Sequence, residues 1–99
     1  MEYRRLGRTN LRVSVLGLGS GGKSQLGQAH GMAQNEITPI VRRALDLGVN
    51  MIDTSPDYAD SEALLGSALA GVPRDSYVKC TKFWPVRNDT VRPLSLIHI

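Results

Sequence analysis

Three side chains that could transfer protons lie at or just past strand-like segments of this sequence. Asp53 comes directly after the apolar residues 49–52, Tyr58 lies in the turn-rich stretch that follows, and Lys82 ends a second strand-like run, residues 77–81. Where strands alternate with helices, the carboxyl ends of parallel strands meet at one edge of a sheet, and catalytic groups are found there. A carboxylate, a phenol and an amine at such an edge would form a proton-transfer set.

Each of these residues has a plainer interpretation when it is considered alone. Asp53 is then a turn or helix-capping aspartate, Tyr58 a half-buried aromatic at a rim, and Lys82 a solvated lysine at a strand end. All three, however, occur in order at successive strand ends, and that combination favours a shared site. Asp53, Tyr58 and Lys82 are therefore the candidate catalytic residues.

The composition is that of a folded chain with dispersed charge. Among the 99 residues, 41% are hydrophobic and 21% are charged, which suits a small domain but is well short of a complete large α/β barrel. The net charge of +3 comes from scattered basic residues, with no basic run interleaved with aromatics. The sequence therefore gives no support to nucleic-acid binding.

Cysteine usage and hydropathy bear on the compartment. Cys80 is the single cysteine, so a disulfide within the chain is excluded and a thiol in a reducing compartment is the plain interpretation. The first residues form no apolar signal segment, and no apolar run approaches the roughly 18 residues of a membrane span. We expect a cytoplasmic protein without a membrane partner.

The first half of the chain predicts a hairpin, a strand and a loop. Residues 3–16 are typical of a β-hairpin whose turn, residues 7–10, contains Gly7 and Asn10, which tolerate positive φ. Residues 15–19 indicate a buried strand that runs into glycine. Residues 20–37 carry four glycines and no apolar period, which predicts a long loop.

Two helices are expected after this loop. Thr38 is a suitable N-cap and Pro39 a suitable first helical residue, and Gly48 ends the first helix. Asp60 or Ser61 caps the second helix, which Gly71 and Pro73 end. The two predicted apolar faces are Ile40, Val41, Ala44, Leu45 and Leu47 on the first helix, and Leu64, Leu65, Ala68 and Leu69 on the second.

This order of elements predicts right-handed crossovers and a parallel sheet. The chain divides into a hairpin (residues 2–14), three strands with two helices (residues 15–84) and an anomalous tail (residues 85–99). The tail shows no helix cap, helical period or closing element, and we interpret the chain as cut off; whether residues 93–99 belong to the parent sequence does not follow from the sequence. Because the sheet edges stay open, we expect the chain alone to be poorly folded and inactive.

The long loop at residues 20–37 is called the glycine loop below. Its first residues, together with the end of the preceding strand, also match two phosphate-binding patterns. Residues 17–24 satisfy G-x-x-x-x-G-K-[ST], and residues 17–22 contain the dinucleotide fingerprint G-x-G-x-x-G. Both patterns bind phosphate at the N-terminus of a helix that opens directly after the loop, and residues 25–31 lack a helical apolar face. A flexible loop is the favoured interpretation. The alternative is an ATP- or GTP-binding fragment in which Lys23 and Ser24 carry the phosphate.

The ordered pattern as a whole resembles the aldo-keto reductase family. Five stretches carry the resemblance: residues 5–14 (the N-terminal hairpin), 16–20 (the first strand), 44–58, 61–69 (the second helix) and 81–83 (the end of the third strand). The match extends over nearly everything from Tyr3 to Trp84, with spacing, order and secondary structure in agreement. It implies the N-terminal part of a (β/α)₈ TIM barrel with an N-terminal β-hairpin, truncated after the third barrel strand.

The resemblance also implies an activity and assigns roles. The family reduces aldehydes and ketones with NADPH or NADH, so a small-molecule carbonyl substrate is implied. Tyr58 is similar to the general acid that protonates the carbonyl oxygen, Lys82 to the group that lowers the pKa of this tyrosine, and Asp53 to the carboxylate that pairs with the lysine. The physical chemistry agrees, because a phenol with a pKa of about 10 needs a nearby cation to act at neutral pH.

The remaining groups that the family uses are only partly represented. Ser20, Gly21 and Asp53 are the implied contacts to the nicotinamide end of the cofactor, and no metal ligand is implied. The family places a histidine at the end of the next strand, and neither His30 in the first loop nor His98 in the tail fits that place. The identity of the carbonyl substrate, the choice between NADPH and NADH and the oligomeric state do not follow from the resemblance.

Overall fold

The computed structural model describes residues 1–83. In chain order, its strands and helices are β1 (Tyr3–Arg5), β2 (Arg12–Ser14), β3 (Leu18–Gly19), α1 (Gln34–Asp46), β4 (Met51–Asp53), α2 (Ser61–Ala68) and β5 (Val78–Cys80). Three short 3-10 helices lie between them, at Gly7–Thr9, Gln28–His30 and Arg74–Ser76. The expectations for Trp84, for residues 85–99 and for His98 lie outside the described residues.

Two sheets organise this part of the chain. β1 and β2 form an antiparallel hairpin, in which Gly7 and Asn10 have φ values of +51° and +64°. The second sheet is parallel, in the order β3-β4-β5, with α1 and α2 as the crossovers. The alternation of strands and helices in the sequence thus produces the expected parallel sheet. Neither helix within residues 1–83 has the length and apolar character needed to cross a membrane.

The core lies between the parallel sheet and the two helices. Ile37 and Val41 of α1, Ile52 of β4, and Leu65 and Ala68 of α2 are buried in one cluster. Burying an aliphatic side chain of this size contributes about 1.5–3 kcal/mol, so these contacts fix the helices against the sheet. The second helix follows its predicted stripe, with Leu69 also buried and Leu64 packed against the cluster.

The hairpin is fastened to the amino end of β4. The Asn50 side chain accepts the Ser14 N–H at 2.7 Å and donates to the Arg12 carbonyl oxygen at 2.9 Å. The Tyr3 hydroxyl donates to the Gly48 carbonyl oxygen at 2.7 Å. Because Asn50 precedes β4 and Asp53 ends it, the hairpin and the candidate catalytic residues lie at opposite ends of the sheet.

The first helix begins earlier than predicted, at Gln34 rather than Pro39. The Glu36 carboxylate accepts the Ala33 N–H at 3.1 Å, and Ile37 is fully buried, so packing and this bond extend the helix past the Thr38-Pro39 signal. Pro39 therefore lies inside the helix. The predicted face was also wrong in part, because Ile40 and Leu47 are exposed.

The strand predicted at residues 15–19 is shorter in the structure. Only Leu18–Gly19 pairs with β4, and Val15 and Leu16 are exposed instead of buried. The Val15 N–H donates to the Glu2 carbonyl oxygen, and the Ser14 hydroxyl donates to the Leu16 carbonyl oxygen at 2.7 Å. These bonds keep residues 15 and 16 with the hairpin, so the parallel sheet starts later.

The glycine loop is more ordered than its composition suggests. Leu26 is buried in the core cluster even though its φ is +62°, and the Gln28–His30 3-10 helix follows it.

The second helix also differs from expectation at its start. Asp60 occupies the N-cap position without a side-chain cap bond, and the Ser61 hydroxyl bonds to the glycine loop instead.

Candidate active site

Asp53 and Lys82 meet at the carboxyl edge of the parallel sheet. β4 ends at Asp53, which pairs with Cys80 at the end of β5, so Lys82 lies just past the same edge. The Lys82 Nζ is 3.3 Å from each carboxylate oxygen of Asp53, and it donates to the Thr54 carbonyl oxygen at 2.9 Å. The Lys82 and Asp53 side chains remain 35% and 52% exposed, so a ligand can reach this ion pair from solvent.

Tyr58 lies beside the same ammonium, with the Lys82 Nζ 4.6 Å from the centroid of its ring. The hydrogen bond to the Tyr58 hydroxyl is the largest influence on Lys82, and together with the bond and the charge of Asp53 it raises the pKa of Lys82 above 10.5, against the opposing effect of partial burial. The lysine therefore stays charged at neutral pH. A positive charge beside the ring can stabilise negative charge on the phenol oxygen.

The Tyr58 ring also packs directly on the backbone of Gly21. A Cβ atom at position 21 would lie 2.7 Å from the Tyr58 Cζ, closer than real Cβ contacts occur. The ring can therefore occupy this place only because residue 21 has no side chain. In this structure Gly21 serves the position of Tyr58, and its predicted contact with the cofactor stays a prediction.

Ser20 joins the two strand ends that border the site. It is fully buried, and its hydroxyl donates to the Asp53 carbonyl oxygen at 2.8 Å. The Ser20 carbonyl oxygen accepts the Ser61 hydroxyl at 2.7 Å, which ties the start of α2 to the end of β3. These bonds fix the backbone of Asp53. The predicted contact of Ser20 with the cofactor stays a prediction, as does that of the exposed Asp53 carboxylate.

Sequence reasoning did not find the buried polar residues that hydrogen-bond to the strand ends around the site. Ser61 was a candidate cap, and its actual bond to Ser20 joins residues far apart in the chain. Thr54 is fully buried; its N–H donates to the Cys80 carbonyl oxygen at 2.8 Å, and its hydroxyl has no partner among residues 1–83. Only the position of Thr54 directly after Asp53 could have drawn attention to it.

The glycine loop does not have the architecture of a phosphate-binding loop. Residues 22–27 form turns, and α1 opens only at Gln34, well past Lys23 and Ser24. The Ser24 carbonyl oxygen accepts the N–H groups of Gly27 and Ala29, which closes the loop on itself. Within residues 1–83, no α-helix opens directly after Lys23 and Ser24, so the nucleotide-binding alternative gains no support.

His30 is exposed at the end of the short 3-10 helix of the glycine loop. That it does not take the place of the family's histidine stays a prediction. Within residues 1–83, no group of three or more His, Cys, Asp or Glu side chains is arranged to hold a metal ion.

Comparison with known proteins agrees with this geometry. The model of the Aldo/keto reductase family matches residues 16–94. L-galactose dehydrogenase of Arabidopsis thaliana is 42% identical in an 87-residue alignment that covers 83% of this chain and 26% of that protein. The chain thus spans about a quarter of the length of this curated relative.

Solved structures show the same fold. A protein from Pseudomonas aeruginosa described as an aldo-keto reductase superposes with a TM-score of 0.67 at 38% identity, covering 82% of this chain and 30% of its own. An aldo-keto reductase from Bacillus halodurans, solved in its holo form, gives 0.66 at 32% identity, with 84% and 26% covered. These neighbours are TIM barrels, and residues 1–83 correspond to the N-terminal part of such a barrel. The chain belongs to the aldo/keto reductase family.

Proposed function

We propose that this chain supplies the proton-transfer part of an NAD(P)H-dependent reductase of aldehydes or ketones. The observation that carries the proposal is the placement of Asp53, Tyr58 and Lys82 together at the carboxyl edge of the parallel sheet. Family membership supports it, since carbonyl reduction is the general activity of aldo-keto reductases. The reaction belongs to a longer parent protein, because the chain spans only a quarter to a third of its relatives.

Each of the three residues has a distinct proposed role. Tyr58 donates its phenolic proton to the carbonyl oxygen as that oxygen gains negative charge. Lys82 stabilises the phenolate that remains, and Asp53 orients the ammonium through its two contacts of 3.3 Å. The cost of leaving an amine charged and partly desolvated is offset by this carboxylate.

The described residues fit the reactive end of a nicotinamide cofactor. The bound cofactor would supply the hydride. Asp53 keeps about half of its side chain exposed beside the Tyr58 ring, so it can accept a hydrogen bond from a polar group placed over the site. Ser20 and Gly21 line the adjoining strand end and hold Asp53 and Tyr58 in place. NADPH is the favoured cofactor, with NADH as the alternative.

We also propose a cytoplasmic location, which is consistent with Cys80 as a single free cysteine.

The test uses the full-length parent protein and the absorbance of the reduced nicotinamide. Aldehyde and ketone substrates are assayed with NADPH and NADH, and L-galactose is assayed in the oxidative direction because of the Arabidopsis relative. We expect Tyr58→Phe to lower kcat by about 100-fold or more, since general acid catalysis contributes on the order of 10²–10⁴.

Tyr3→Phe is the matched control for this experiment. It removes a phenol hydroxyl that donates to the Gly48 carbonyl oxygen at the opposite end of the sheet. This variant should lose a little stability and keep its kcat. Equal losses of kcat in Tyr58→Phe and Tyr3→Phe, or no turnover by the wild-type protein with any carbonyl substrate, would contradict the proposal.

A further inference from the structure

A glutamine of the glycine loop bonds to the chain segment that carries Tyr58. We propose that Gln28 is a positioning residue, which holds the segment between Tyr58 and Ser61 so that the phenol stays beside Lys82. The inference rests on the proposed role of Tyr58 as general acid. Gln28 touches neither Asp53 nor Lys82 through any hydrogen bond of the described structure, so its effect must pass through the Tyr58 segment.

The amide of Gln28 is used at both of its polar atoms. Nε2 donates to the Gln25 carbonyl oxygen at 2.8 Å and to the Ser61 hydroxyl oxygen at 2.9 Å. Oε1 accepts the Asp60 N–H at 2.9 Å. A further contact from Nε2 to the Tyr58 carbonyl oxygen is long, at 3.4 Å. Only one orientation of the amide satisfies these donors and acceptors, so the side chain is fixed.

Two backbone hydrogen bonds also border the Tyr58 segment. The Tyr58 N–H donates to the Ser55 carbonyl oxygen at 3.1 Å, and the Ser61 N–H donates to the Tyr58 carbonyl oxygen at 3.0 Å. Between them, Ala59 has a φ of +50°, in the left-handed region that L residues rarely adopt. The Asp60 side chain does not cap α2. Gln28 takes the Asp60 N–H that this end of the helix would otherwise leave open.

Gln28 is itself fixed to the core. It follows two residues after the buried Leu26, and it begins the short 3-10 helix that ends at His30. The same loop contributes Gly21, on which the Tyr58 ring rests. One loop therefore supports Tyr58 twice, through the ring at Gly21 and through the backbone beyond it at Gln28. A loop that supports a catalytic side chain in this way sets the distance over which the proton moves.

The expected effect of losing Gln28 is a loss of alignment. Gln28→Met keeps the length of the side chain and removes its hydrogen bonds. A misplacement of a reacting group by about 1 Å can lower the rate on the order of 100-fold, so we expect kcat to fall by about 10- to 100-fold. The KM for the nicotinamide cofactor should stay the same, because the hydrogen bonds of Gln28 in the described structure go to Gln25, Tyr58, Asp60 and Ser61 and not to Asp53.

Gln34→Met is the matched control. Gln34 is also a glutamine that reaches α2, since its Nε2 donates to the Leu64 carbonyl oxygen at 3.1 Å and to the Thr38 hydroxyl at 2.8 Å. Neither of these hydrogen bonds involves a residue between Asp53 and Ser61. In the full-length parent, both variants should lower the thermal midpoint by a similar amount, and only Gln28→Met should lower kcat.

A second readout follows Tyr58 itself and needs no activity. The parent protein is labelled with 3-fluorotyrosine, and the Tyr58 signal in the fluorine spectrum is identified by its loss in Tyr58→Phe. We expect Gln28→Met to shift or broaden this signal and Gln34→Met to leave it unchanged. An unchanged Tyr58 signal in Gln28→Met, or equal losses of kcat in the two variants, would overturn the inference.

Two further outcomes are covered by the same design. If Gln28→Met does not fold, Gln28→Glu replaces it; that variant keeps the acceptor for the Asp60 N–H, loses both donors and should disturb the same signal. If the wild-type protein reduces no carbonyl compound, the proposed function fails. The fluorine signal then still shows whether Gln28 holds Tyr58.

Discussion

The pKa values of two lysines in and just after β5 are shifted in opposite directions. Their titration is therefore a test of the site. The pKa of Lys82 is raised above 10.5, first by the Tyr58 hydroxyl and then by Asp53. The pKa of Lys79 is lowered from 10.5 by burial and then by the charge of Arg74. Because a raised cation pKa stabilises the fold below the unfolded-state value, the contribution of Lys82 is fully present below 10.5 and is lost as the pH rises through its folded-state pKa.

We therefore expect Lys79 to lose its proton before Lys82 as the pH rises, which can be followed through the ¹³Cε resonances of labelled lysine. Lys82 should stay charged across the neutral range, so it should add no limb to the pH profile of carbonyl reduction. Asp53→Asn removes one of the interactions and should lower the pKa of Lys82, whereas Asp75→Asn, which is not among its influences, should leave it unchanged. Titration of Lys82 before Lys79 would show that the ammonium does not interact with Tyr58 and Asp53 as described.

At the scale of single residues, the sequence predicted positions correctly where a chemically reactive side chain lies at the end of a recognisable strand pattern. Asp53 and Lys82 each end an apolar run, and the alternation of elements predicts that such ends meet, as they do. Their catalytic roles stay predictions. Gln28 and Ser61 could not be found in this way, because their bonds join residues more than thirty positions apart and leave no period in the sequence.

The first helix shows how a strong local signal can be overruled at the scale of an element. Thr38-Pro39 has the chemistry of a helix start, yet Glu36 and the buried Ile37 extend α1 back to Gln34. A proline inside a helix lacks the N–H that would bond to the carbonyl oxygen four residues earlier, here that of Asn35, and its ring crowds that oxygen. The element exists where predicted, and packing sets where it begins.

Replacing this proline should therefore stabilise the protein. A proline in a helix interior costs about 3 kcal/mol relative to alanine, and the greater freedom of the unfolded chain returns about 0.4–1 kcal/mol of that difference. We expect Pro39→Ala to raise the free energy of unfolding of the parent protein by about 2–2.6 kcal/mol in urea denaturation, with kcat unchanged.

Ile40→Ala is the control for Pro39→Ala. Ile40 is the next residue of the same helix and is exposed, so this change alters helix propensity without restoring a hydrogen bond. It should change stability by less than about 0.5 kcal/mol. If Pro39→Ala were no more stable than Ile40→Ala, the missing hydrogen bond from residue 39 to the Asn35 carbonyl oxygen would not destabilise α1.

At the scale of the whole molecule, the described residues leave much apolar and backbone surface uncovered. β3 and β5 are the outer strands of the parallel sheet within residues 1–83, and their outer edges carry unpaired backbone groups. Large apolar side chains are exposed as well, among them Leu16, Leu47 and Phe83. Parallel sheets normally have both faces covered by other elements. In residues 1–83, α1 and α2 are the two helices that pack on the parallel sheet.

We accordingly expect the isolated 99-residue chain to aggregate or to unfold without a cooperative transition. Circular dichroism during heating and analytical ultracentrifugation would measure this, with the longer parent protein as the comparison. A single cooperative melt of a monomer would contradict the expectation. It would mean that the core around Ile37, Ile52 and Leu65 outweighs the open edges of the sheet.

Asp53, Tyr58 and Lys82 all belong to the single strand–helix–strand unit formed by β4, α2 and β5, and this has a consequence for recombination. Their spacing depends on bonds among residues 53–82 and on the glycine loop, where the Tyr58 ring packs on Gly21. A crossover between related genes just after position 83 would thus keep the three proposed proton-transfer residues together in one block.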